Sequence, residues 1–155
     1  MDRVVLMPDD NVYYAAPGVA TVRWEPEGKL VLVEWEGWSN SQEFAALLAA
    51  EIQALTERHG SRLLADCRRQ RVLSPADQAR DKEWLPRAVA SGLRRFAIVL
   101  PTSGLATTNI RDRLGKAPGA TLDIAYFDGV DEAWTWLTGK PRSLRAQSGD
   151  AVLPD

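Results

Sequence analysis

Apolar and polar positions along this chain follow two periods in turn. Val19–Arg23, ending near Trp24, and Leu30–Trp35 are β-rich runs. The linker between them, Glu25-Pro26-Glu27-Gly28-Lys29, holds the Pro and Gly of a hairpin turn. The period then changes. Phe44, Leu47, Leu48, Ile52 and Leu55 recur at three- and four-residue spacing, which predicts one apolar helical stripe. Either Ser39 with Gln42 or Asn40 with Glu43 fits a capping box at its start, and Gly60 is placed to end it in the left-handed region.

Arg62–Asp66 is a short strand whose consecutive apolar residues Leu63, Leu64 and Ala65 suit a central position buried on both faces. Ser74 is set to cap the next helix, with Pro75 at its first position and Asp77 in its first turn. Pro86 predicts a break near Trp84-Leu85 and a short second segment ending at Gly92. Arg95–Leu100 is a buried strand closed by Pro101, and Ser103–Leu114 a helix weakened by threonines. Leu122–Phe127 is the last strand. Asp128 then caps a final helix over Val130, Ala133, Trp134 and Leu137.

The resulting order is ββαβαβαβα. It predicts a single α/β domain with a five-stranded, mostly parallel sheet, an antiparallel edge hairpin and flanking helices. Residues 1–18 fall outside that pattern as an N-terminal extension, 19–138 form the domain, and 139–155 read as a disordered tail.

Within this order, several stretches carry a resemblance. They are Val31-Leu32-Val33-Glu34-Trp35-Glu36-Gly37 before the first helix, and Leu64-Ala65-Asp66 followed by Leu73-Ser74-Pro75. Further along come Trp84-Leu85-Pro86 leading to Gly92–Val99, and Tyr126-Phe127-Asp128 leading to Ala133–Leu137. From about Val19 to Leu137 the chain resembles the STAS-type superfamily, the anti-sigma-factor-antagonist fold, in the bacterial branch grouped with lipid-transfer-like CRAL-TRIO domains. The resemblance implies a non-enzymatic domain. In the phospho-regulated antagonists a strand ends in Asp, and a later serine caps the next helix and is phosphorylated by a partner kinase. Asp66 and Ser74 hold those places. The arginine-rich loop between them and Pro75 after the serine depart from the pattern.

The 155 residues are enough for one ordinary core. A formal net charge of −2 provides no global field toward nucleic acid or an anionic membrane. No apolar run reaches the roughly 18 residues of a span, and the start is too weakly apolar for a secretory signal. The single cysteine, Cys67, excludes an internal disulfide and points to a cytoplasmic location. One His and one Cys leave no zinc site of ordinary composition, and the glycines match no phosphate or dinucleotide fingerprint. No cofactor is expected.

Candidate chemistry concentrates where the strand ending at Asp66 feeds the helix capped by Ser74. A phosphate or other anion at that helix start would meet free N–H groups, with Arg68, Arg69 and Arg71 able to pair with it. The plainer reading makes Ser74 an N-cap worth about 1 kcal/mol and the arginines a solvated loop. Asp66 orients the loop by accepting backbone hydrogen bonds. Among the six tryptophans, Trp24, Trp35 and Trp136 are candidates for a contact surface, the first two on the hairpin edge where a homodimer would form. The expected function is regulation through a protein partner. The alternative is a carrier or sensor of a small apolar or lipid-like ligand, for which a closed apolar pocket would be the sign.

Overall fold

The computed structural model describes residues 10–71, 73–101 and 122–144. Its elements run in chain order β1 (Val12–Ala16), β2 (Ala20–Glu25), β3 (Leu30–Trp35), α1 (Ser41–Arg58), β4 (Arg62–Asp66), α2 (Pro75–Ala90), β5 (Arg95–Val99), β6 (Asp123–Phe127) and α3 (Val130–Thr138). The strands form one mixed sheet in sequential order. The first three pair antiparallel, and β3 to β6 pair parallel.

The sheet has six strands rather than five, because Val12–Ala16 pairs with β2. This segment is half exposed and its register shifts between Val12 and Tyr14, so no clean alternation of apolar and polar residues marks it. The β2–β3 hairpin is therefore an inner part of the sheet, and β1 is the edge.

Strand periodicity sorts the core into two layers. Val31, Val33 and Trp35 of β3, Leu63 and Ala65 of β4, and Phe96 and Ile98 of β5 face α1 and α2. Leu30, Leu32, Leu64, Ala97 and Val99 point the other way, toward Trp134 and Leu137 of α3. Each fully buried leucine in these layers contributes about 1.5–3 kcal/mol through lost apolar surface.

Of the two capping boxes the sequence offers for α1, the structure forms the one of Asn40 and Glu43. Two other helix ends depart from the sequence reading. At the C-terminal end of α1 His59 takes the left-handed conformation (φ 52°) and Gly60 does not. Gly60 matters for space instead: a Cβ there would lie 3.0 Å from the Trp24 ring. Gly129 rather than Asp128 is the N-cap of α3, and no side chain bonds to its free N–H groups.

Helix α2 runs through Pro86 without the break that proline predicts. Pro86 faces solvent, where the unpaired carbonyl of the preceding turn can be hydrated. Trp84, Leu85 and Ala88 around it are buried, and Trp84 Nε1 donates to the Leu48 carbonyl at 3.1 Å. Packing on both sides of the proline outweighs its local cost. The predicted helix Ser103–Leu114 lies outside the described residues, as does the tail beyond 144. Residues 139–144, assigned to that tail by composition, are placed against α3, with Arg142 3.5 Å from Asp131. No described helix is long and apolar enough to cross a membrane.

Candidate functional site

Strand β4 ends at Asp66, and the chain leaves the sheet through a loop pinned at three points. Cys67 N–H donates to the Val99 carbonyl at 2.9 Å, continuing the ladder by one residue. Asp66 Oδ1 accepts the Arg68 backbone N–H at 3.2 Å, the orienting role expected of it. The Arg68 guanidinium returns to the same carboxylate in a two-pronged pair, Nε to Oδ1 at 2.8 Å and Nη2 to Oδ2 at 2.7 Å. Gln70 is buried, its N–H donating to the Cys67 carbonyl at 3.1 Å, and Leu73 is buried beyond it. The loop is built rather than merely solvated.

Ser74 then caps α2. Its extended backbone (φ −65°, ψ 158°) turns the hydroxyl to accept the Asp77 N–H at 3.2 Å, and Pro75 opens the helix. Asp77 is buried, with Oδ1 3.8 Å from Arg80 Nε. Ser74 itself is exposed, as are Arg69 and Arg71.

The five residues singled out here do not converge on one point. Asp66, Arg68 and Arg69 line a cleft of about 330 Å³ on the α3 side, whereas Arg71 and Ser74 do not reach it. Arg68 is committed to Asp66, and Arg69 belongs to the cleft rather than to the Ser74 cap. The contact-surface candidates also divide. Trp24 and Trp35 are buried, at 9% and 6% exposure, Trp35 packing on Phe44 with ring centroids 6.0 Å apart. Both belong to the inward set of their strands, so strand alternation decides against the hairpin surface. Trp136 is half-buried beneath Arg95, whose guanidinium lies 4.1 Å from the ring centroid. The exposed tryptophan is Trp38, at 59%, in the loop between β3 and α1.

The cleft brings together residues with no shared sequence signal. Arg23, Glu25 and Glu34 come from β2 and β3, Trp134 from α3, and Arg142 from beyond it. Arg23 Nη1 bonds Glu25 at 3.1 Å and its Nε lies 4.0 Å from Glu34. Burial pushes the Glu34 carboxyl above its usual range, Arg23 opposes the shift, and the neighbouring Asp66 adds to it. Parallel pairing places Glu34 beside Asp66 in register.

A second group lies on the opposite face. Glu51 of α1 and Asp81 of α2 are both buried and line a pocket of about 30 Å³ with Cys67 and Gln70. The signal for it was present in the sequence: Glu51 falls on the apolar stripe of α1, between Leu48 and Leu55.

No family model and no curated protein matches the chain. Among solved structures it is similar to an uncharacterized protein of the DUF3478 family with a SpoIIAA-like fold, from Shewanella loihica. The superposition has a TM-score of 0.55 at 16% identity, covering 84% of this chain and 98% of the other. Identity that low speaks for the fold alone. The fold of this chain is the SpoIIAA-like, STAS-type α/β fold toward which its sequence points.

Proposed function

We propose that this domain acts by binding a protein partner, in a regulatory role, through the loop after β4 and the start of α2. One observation carries the reading. Arg69 and Arg71 are exposed, form no hydrogen bond or ion pair within the described residues, and stand on a loop held in shape by Asp66 and Arg68, beside the exposed cap Ser74. Guanidinium groups in such a setting suit carboxylates or a phosphate on the partner, and the helix start favours negative charge. A phosphate on Ser74, the modification implied by the family resemblance, would add negative charge at the start of α2, where the helix dipole favours it. The reading is of binding, not catalysis.

The carrier of an apolar ligand is the weaker reading. The pocket at the α1–α2 seam, at about 30 Å³, is too small for a lipid-like molecule, and the larger cleft is lined by charge. The test is paired capture from the source cell with the wild type, Ser74→Asp and the double variant Arg69→Ala/Arg71→Ala as baits. A specific partner should be lost with the double variant and altered by Ser74→Asp, while the fold survives because aspartate also caps helices. Capture indifferent to both changes would leave Ser74 a plain helix cap.

A further inference from the structure

The open cleft of about 330 Å³ lies where the carboxyl ends of β3 and β4 meet α3. That end of a parallel sheet is where α/β domains usually hold ligands. Small-molecule sites span roughly 300–1,000 Å³, so this one suits a compact molecule and not a lipid chain. Most of its charges are already matched. Arg23 bonds Glu25 at 3.1 Å, Glu36 accepts the Gly18 N–H at 2.9 Å, and Arg68 takes both oxygens of Asp66.

Three lining groups keep capacity to spare. The Glu34 carboxyl forms no hydrogen bond among the described residues, and its ion-pair contact there, Arg23 Nε, stands at 4.0 Å. Arg68 spends Nε and Nη2 on Asp66, which leaves the two N–H donors of Nη1. Arg69 has no hydrogen bond or ion pair among the described residues. Strand register sets their spacing. Glu34 and Asp66 are partners on adjacent parallel strands, so their side chains stand side by side, about 4.8 Å apart at the backbone. An unmet acceptor therefore neighbours unmet donors. The apolar floor between them and the core is Leu32 of β3 with Val130 and Trp134 of α3.

A ligand that meets all these features carries a cationic donor, an anion and a small apolar group. A plain anion would face Glu34 as a like charge, and a plain amine would face Arg68 and Arg69 in the same way. Burial raises the Glu34 carboxyl above its usual range, Arg23 and Arg142 pull it down, and Asp66 and Glu36 push it up. An ammonium group supplies the positive charge that this balance lacks.

We propose that the cleft is a binding site for a free apolar α-amino acid. Its ammonium group rests on Glu34, its carboxylate on Arg68 Nη1 and Arg69, and its side chain on Leu32, Val130 and Trp134. The site goes beyond the partner reading. Arg69 serves both, whereas Glu34 serves the amino acid alone.

Titration calorimetry on the isolated chain tests this, with L-valine, L-leucine and L-phenylalanine as probes. At least one should bind with a Kd of about 1 mM or tighter. Two derivatives of that amino acid each lack one charge: the N-acetyl form has no ammonium group and the amide no carboxylate. Each should bind about tenfold more weakly, or worse, as expected for losing a hydrogen bond between charged groups. Glu34→Gln should weaken the parent amino acid by a similar factor without weakening the N-acetyl form. Arg69→Ala should weaken the parent and spare the amide. If Glu34→Gln fails to fold, the wild type with the two derivatives decides the matter. No saturable binding of any of the three amino acids would overturn the site. So would an N-acetyl form that binds as well as its parent, marking a plain anion site, or an amide that does, marking a cation site. Glu34 lies outside the loop assigned to the partner, so loss of amino-acid binding in Glu34→Gln and loss of a partner in the arginine variants are separate outcomes.

Discussion

On the α3 side of the sheet, Asp66 and Glu34 lie in a cleft where guanidinium groups reach them, Arg68 at 2.7 Å and Arg23 at 4.0 Å. On the other side, Glu51 lies buried between two helices with the carboxyl of Asp81 for a neighbour. The two sites have the same side-chain chemistry but opposite surroundings. In the cleft guanidinium groups stand against the carboxylates; at the seam, burial and like charge favour the proton on Glu51. Glu34 shows the transition between them, since burial raises it while Arg23 pulls it back. A carboxyl group's role in this fold is thus set by the layer it faces, and neighbouring strand positions face different layers.

Four substitutions test the contrast, from the largest effect to the smallest. Trp84→Ala removes the packing and the Leu48 hydrogen bond that close the seam, and should cost about 3–5 kcal/mol of stability in urea titrations. The cleft should survive where that variant still folds, visible as an unchanged environment for Trp134. Asp66→Ala breaks the cleft side instead. It strands a half-exposed guanidinium that can turn to water, so the loss should be smaller, about 1–2 kcal/mol by the same measurement. A loss matching that of Trp84→Ala would mean that the loop, not the seam, anchors this end of the sheet.

Ser74→Ala removes one cap bond and should cost about 1 kcal/mol, with Ser74→Asp recovering most of it. Arg69→Ala with Arg71→Ala should change stability by less than about 0.5 kcal/mol, because neither side chain is used in the folded loop. Thermal unfolding resolves these two cases. A large loss in the double arginine variant would make the arginines structural and remove the observation on which the binding reading rests.

Much of this architecture was legible in the chain. The stripe Phe44, Leu47, Leu48 and Leu55 marked α1, the apolar run of β4 marked a central strand, and Ser74-Pro75 marked the start of α2, because each is a local pattern with a local cause. Asp66 as the organiser of its loop was legible for the same reason: its partners, the backbone and side chain of Arg68, lie two residues away.

What failed involved distant partners. Pro86 stays helical because Trp84 and Leu85 are anchored in the core, and His59 rather than Gly60 turns left-handed while Gly60 yields space to Trp24. Trp24 and Trp35 are inside because a third antiparallel strand and α1 complete the layer over them. The cleft draws on residues from Arg23 to Arg142, and the seam joins Glu51 to Asp81 across two helices. The sequence alone determined where α1, α2 and the central strand β4 begin and that they are buried, since propensity, capping and periodicity act within a few residues. Only the tertiary structure decided which charges meet and which keep water, because desolvation and Coulomb interaction depend on distance in space and not on distance along the chain.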